Sequence, residues 1–117
     1  MAITDKTDKE IIEIVKPMID EVVKASNKKD WQTFCKYQTD EEANDPENKK
    51  NVLAQWRDSK VLTSLSLDRE ILGVMRRDDV ALVYWKQTST EVSGEFLACY
   101  HVKELGQEIK EVGFLLI

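Results

Sequence analysis

Val80-Ala81-Leu82-Val83-Tyr84-Trp85, followed after a short polar connection by Phe96-Leu97-Ala98-Cys99-Tyr100, is apolar or aromatic at every position. A strand in an antiparallel sheet with one wet face alternates apolar and polar side chains. Two neighbouring strands without that alternation require cover on both faces. Outward from this pair, β-branched and aromatic residues mark four strand candidates: Leu67–Arg76, Val80–Thr88, Glu95–Lys103 and Glu108–Leu116. Arg77-Asp78-Asp79 and Leu105-Gly106-Gln107 are short enough for hairpin turns, and Ser89 to Gly94 makes a longer polar connection. The reading is an antiparallel meander.

The residues before the sheet read as helices. Thr7-Asp8-Lys9-Glu10 is a capping box, in which hydroxyl and carboxylate each satisfy a free amide of the first turn. Ile11, Val15, Met18 and Val22 then recur at helical spacing, with Ile12, Ile19 and Val23 beside them. Pro17 lies inside this pattern and predicts a kink near Glu13 to Pro17 rather than two helices. Ser26-Asn27-Lys28-Lys29 reads as a break, and Asp30 caps a short second helix carrying Trp31, Phe34 and Cys35. Thr39 to Asp45 reads as an acidic loop. Asp45-Pro46-Glu47 supplies a cap, a proline at the first helical position and an acid near the positive helix end, so a third helix runs to about Leu62 with Val52, Leu53 and Trp56 facing inward.

The fold class is therefore α+β, three N-terminal helices packed on a four-stranded antiparallel sheet. Neither an internal repeat nor a linker divides residues 1–117, which read as one domain. Three such helices cover one sheet face, and the other is expected to pack on a second copy, giving a homodimer through the outer sheet face.

Composition excludes several function classes. The chain of 117 residues has a formal net charge of −5, and its basic residues form scattered pairs, Lys28-Lys29, Lys49-Lys50 and Arg76-Arg77, rather than a stripe that would release counterions from a nucleic acid. Nucleic acid and membrane are not expected partners, since no apolar stretch is long enough to span a bilayer. Charged residues from Asp5 to Glu10 stand where a signal peptide would need an apolar run, which places the protein in the cytoplasm and makes Cys35 and Cys99 buried thiols rather than a disulfide. One histidine, two distant cysteines and the solvated run Asp40-Glu41-Glu42 give no metal shell, and no cofactor is implied. Glycine-rich phosphate loops and a spaced Ser–His–Asp triad are absent from the sequence.

The order of these features is similar to that of the nuclear transport factor two-like superfamily: a kinked first helix, Lys29-Asp30-Trp31 opening a short second helix, an acid-Pro pair before the third, then a meander. The resemblance spans nearly the whole chain. Asp79-Val80-Ala81-Leu82-Val83 looks like that family's start of a sheet strand, and Gly106-Gln107-Glu108-Ile109-Lys110-Glu111-Val112 resembles the turn and last strand of its SnoaL-like branch. The resemblance implies a cone: a curved sheet closed at one end by helices around an internal pocket, with dimers formed through the convex face. It also implies a choice of activities, because the family holds isomerases and dehydratases beside non-catalytic binding and assembly domains.

In the ketosteroid isomerase branch a carboxylate base near the second helix works with a first-helix tyrosine and a protonated acid on the third strand. The resemblance puts Asp45 near the base position and Tyr100 at the strand position, while residues 1–26 contain no tyrosine. The residues themselves favour Asp45 as a helix cap and Tyr100 as an aromatic wall with its hydroxyl hydrogen-bonded. His101 faces the opposite sheet side from Tyr100 by alternation. Phe34, Tyr37, Trp56, Tyr84, Phe96 and Tyr100 are the candidate lining of a cavity for a small apolar ligand, or else the filling of an ordinary core. The leading reading is a homodimeric cone-fold domain with such a ligand. The alternatives are an acid–base enzyme of isomerase or dehydratase type using Asp45 with Tyr100 or Tyr37, and an oligomerisation module for a larger assembly.

Overall fold

Thr7 opens the first long element: its hydroxyl accepts a hydrogen bond from the Glu10 amide, and the Glu10 carboxylate accepts one from the Thr7 amide. The computed structural model, which describes residues 2–117, continues from this capping box into α1 (Asp8–Lys28). Three further helices follow, α2 (Trp31–Phe34), α3 (Asp40–Ala43) and α4 (Pro46–Asp58), and then four strands, β1 (Glu70–Arg77), β2 (Val80–Gln87), β3 (Phe96–Leu105) and β4 (Glu108–Leu116). Single 3-10 turns occupy Ile3–Asp5 and Val61–Thr63. The protein is α+β, with all four strands in one antiparallel sheet ordered β1-β2-β3-β4. No helix among the described residues is long and apolar enough to cross a membrane.

The helix count corrects the expectation of three. The acidic stretch forms a turn of helix because Thr39 Oγ1 accepts from the Glu42 amide at 3.2 Å and three acids sit at the positive end of that turn. The expected break at Ser26 to Lys29 is also corrected. α1 continues to Lys28 and stops where Lys29 turns left-handed, with φ 56°. Ser26 and Asn27 do not compete with the helix because their side chains are engaged elsewhere. Asn27 exchanges two hydrogen bonds with the Leu65 backbone, at 2.9 and 2.7 Å, and so fastens the α4–β1 connection to α1. Pro17 sits within a single helix, and α4 ends at Asp58, four residues short of its expected limit near Leu62.

Ile11, Val15, Ile19, Val22 and Val23 of α1 are buried against the sheet face formed by Ala81, Val83, Trp85, Ala98, Tyr100 and Val102. The N-terminal turn is tied to β1 by Arg76, whose guanidinium donates to the Thr4 and Lys6 carbonyls at 3.0 and 2.7 Å and pairs with Asp8 at 2.8 Å. Both hairpin turns use positive φ, at Asp78 (55°) and Gly106 (65°), which matches the twist of the strands they join. A bulge at Val112 interrupts β4: His101 pairs with Gly113, but Val102 pairs with Glu111. The bulge exchanges the face parity of the strand, so Glu111 and Phe114 both face the helices.

The outer face is bare in the single chain. Met75, Leu97 and Leu115, on three strands, are 49, 44 and 55% exposed, and they surround Leu82, Tyr84, Cys99 and His101.

Candidate functional site

An apolar recess of about 490 Å³ opens between α4, the Val61–Thr63 turn and the ends of β3 and β4. Its wall is built by helical spacing: Val52, Gln55, Trp56 and Ser59 fall along one side of α4 and its cap. Trp56 packs edge-on to Phe34 of α2, with ring centroids 5.1 Å apart at 82°. Phe96 and Leu116, from paired strand ends, together with Phe114, make the opposite wall.

Trp56 is held in place by polar contacts behind its ring. Its indole N–H donates to Ser26 Oγ at 3.0 Å, and Ser26 in turn donates to the Leu62 carbonyl. The α1–α4–connector junction is thus satisfied internally, leaving Gln55 and Ser59 as polar groups of the recess that could meet a ligand. No charged side chain is among its described lining residues.

A second feature lies behind the recess. Glu111 is 5% exposed and Tyr100 fully buried, and neither the Glu111 Oε1 atom nor the Tyr100 hydroxyl has a hydrogen-bond partner. Burial raises the Glu111 carboxyl from 4.5 to about 7, the nearby Tyr100 hydroxyl pulls it partly back, and the Glu42 charge pushes it further up. The two groups therefore influence each other without meeting in a well-formed hydrogen bond. Burial, reinforced by the Glu111 charge, pushes the Tyr100 phenol far above its ordinary range. Both groups are neutral at mildly acidic pH.

Tyr37 ends the α2 segment with its hydroxyl donating to the Glu21 carboxylate of α1, which also holds Lys36 at 2.9 Å. These bonds lower the Glu21 pKa, Tyr37 first and Lys36 second. Burial first, then Glu21, raises the Tyr37 phenol. Phe114 lines the recess and meets Tyr100 edge-on at 5.8 Å, whereas Glu111 and Tyr100 are not among the residues lining the recess. The apolar recess and the perturbed Glu111 carboxyl are thus distinct.

Of the six aromatic residues expected to line a cavity, the structure brings Phe34, Trp56 and Phe96 together around the recess. Tyr100 lies behind Phe114, and Tyr37 is engaged with Glu21. Tyr84 stands on the outer face, its hydroxyl end over Gly73. Asp45 is exposed and caps α4, accepting from the Glu47 amide at 3.0 Å beside a shallow acidic depression with Thr39, Glu41 and Glu42; it does not line the recess.

Sequence reasoning missed Glu111 because strict alternation pairs it with Ile109 and then with Gly113, a pattern of no chemical interest. The available signal was the shift of apolar parity from Ile109 to Phe114 and Leu116, which a bulge explains. No family model matches the chain, and neither a curated protein nor a solved structure matches it.

Proposed function

We propose that this protein is a cone-fold domain of the nuclear transport factor two-like type that binds a small, uncharged apolar molecule in the recess and pairs with a second copy through its outer sheet face. The observation that carries the reading is the recess itself. Its volume of about 490 Å³ lies within the roughly 300–1,000 Å³ of small-molecule sites, and aromatic walls with a few polar groups are the usual chemistry of such sites. A lining without charged side chains disfavours ionic ligands, which would lose their hydration without a side-chain counter-charge. Binding is favoured over turnover because Asp45 serves as a cap and the strongly perturbed carboxyl of Glu111 is not among the residues lining the recess.

Titration with an uncharged apolar fluorophore tests the first half of the proposal. Saturable one-to-one binding is expected, and Val52→Asp, which places a charge in the recess wall, is expected to weaken it by at least tenfold. Equal binding by both proteins counts against the reading. The pairing half rests on the apolar outer face, since contiguous patches of this kind mark interfaces and a standard interface hides about 800 Å² per partner. Sedimentation of the wild type as a dimer, and of Leu97→Glu as a folded monomer, is the expected result. A wild-type monomer at micromolar concentration refutes it.

A further inference from the structure

Where the α2 segment returns to the sheet, it touches β4 at one place. Gln38 forms a parallel bridge with Glu111, and the Glu111 amide donates to the Tyr37 carbonyl at 2.6 Å. The next element, α3, contributes no buried residue; the segment is bound to α1 through Tyr37 and Lys36, both on Glu21, and to α4 through Asn48, which donates to Gln38 Oε1 and the Glu42 carbonyl, both at 2.9 Å. A strand edge is therefore closed by a short segment that side chains tie to α1 and α4, and the residue it closes on is a buried acid with one oxygen unpartnered. Buried polar atoms without partners are rare and ask for a reason.

We propose that Glu111 is a proton-operated latch: as a neutral acid it lets the Tyr37–Gln38 segment lie against β4, and on ionising it releases that segment while the rest of the sheet stays paired. Burial first, and then the Glu42 charge, oppose ionisation in place, and the Tyr100 hydroxyl offsets them only in part. Tyr100 of β3 faces it as a neutral phenol, Cys35 brings a thiol from the α2 segment, Glu42 brings a negative charge from α3, and the Tyr37 hydroxyl is turned to Glu21 of α1. Of the cations nearby, Lys36 is held by Glu21 of α1, Lys49 of α4 acts on Cys35, and Lys110 of β4 pairs with Glu108. No cation is among the groups that shift the Glu111 carboxyl, and opening lets its carboxylate reach water.

The direction follows from linkage. A carboxyl held near 7 in the closed form and near 4.5 when open makes opening grow about tenfold per pH unit across that interval, and level off above it. Hydrogen exchange of the full chain, corrected for the intrinsic pH dependence of exchange, reads this at the Glu111 amide. Its protection is expected to fall by more than about 30-fold between pH 5 and 7.5, while amides of the β2–β3 ladder keep theirs. Glu111→Gln is expected to abolish the fall. Glu42→Gln, an exposed change that removes a like charge, is expected to move the levelling point to lower pH, and it decides the matter if Glu111→Gln does not fold. Flat protection in the wild type, an unchanged fall in Glu111→Gln, an unshifted profile in Glu42→Gln, or a simultaneous fall across the β2–β3 ladder overturns the proposal.

Discussion

Ser26→Ala offers a sharp test of how the recess is held in shape. The substitution removes one oxygen, but that oxygen accepts from the Trp56 indole at 3.0 Å and donates to the Leu62 carbonyl. Trp56 is 3% and Ser26 2% exposed, so water cannot replace it without opening the junction. An unpaired buried donor costs about 1–3 kcal/mol, and the freed carbonyl and small void add to this, giving a loss of about 2–3 kcal/mol. For a domain of this size the corresponding fall in Tm is on the order of 10 °C. Urea unfolding followed by far-ultraviolet circular dichroism measures it. In a Trp56→Phe background the indole donor is already gone, so Ser26→Ala is expected to cost about 1 kcal/mol less there than in the wild type. A loss below about 0.5 kcal/mol, or strict additivity of the two changes, refutes the reasoning, because the hydroxyl would then not be satisfying the indole.

Stability should depend on pH through Glu111. Its folded pKa of about 7 lies above the ordinary 4.5, so its contribution is most favourable below about 4.5, declines as pH rises toward 7 and is flat beyond. The gap corresponds to an upper bound of roughly 3 kcal/mol, visible as a falling urea midpoint that Glu111→Gln levels; a midpoint rising over that interval and unaffected by the substitution contradicts the assignment. At Gly73 an added Cβ would meet Tyr84 Oη at 2.6 Å and Cζ at 2.9 Å. Gly73→Ala should therefore destabilise by roughly 1–3 kcal/mol in the wild type and by much less in a Tyr84→Ser background, as denaturant titration of the four proteins will show.

Much of the architecture was legible because it follows from local rules. The Thr7–Glu10 capping box, the Asp45-Pro46 helix start and the two hairpin turns are short-range signals, and β4 keeps the bounds Glu108–Leu116 that its composition implied. The elements that differed are those governed by distant partners. Ser26 and Asn27 look like helix breakers until the connector at Leu62–Leu65 is available to receive their side chains. Thr39-Asp40-Glu41-Glu42 has the pattern of a capping box, but its acidity invited the reading of a loop. The site divided in the same way. Phe34, Trp56 and Phe96 could be gathered from helix and strand periodicity, whereas Tyr84 was assigned to a cavity although alternation from Val83 and Trp85 puts it on the outer face. Glu111 required knowledge of a bulge that only cross-strand pairing reveals.

The claim that most needs testing is that an apolar molecule enters the recess rather than adhering to the equally apolar outer face. Methyl-resolved NMR during titration with a small uncharged aromatic probe separates the two surfaces directly. Saturating shifts at Val52, Val61, Leu62 and Leu116, with Met75 and Leu97 unmoved, are the predicted result. Shifts confined to Met75, Leu82 and Leu97 would contradict the account.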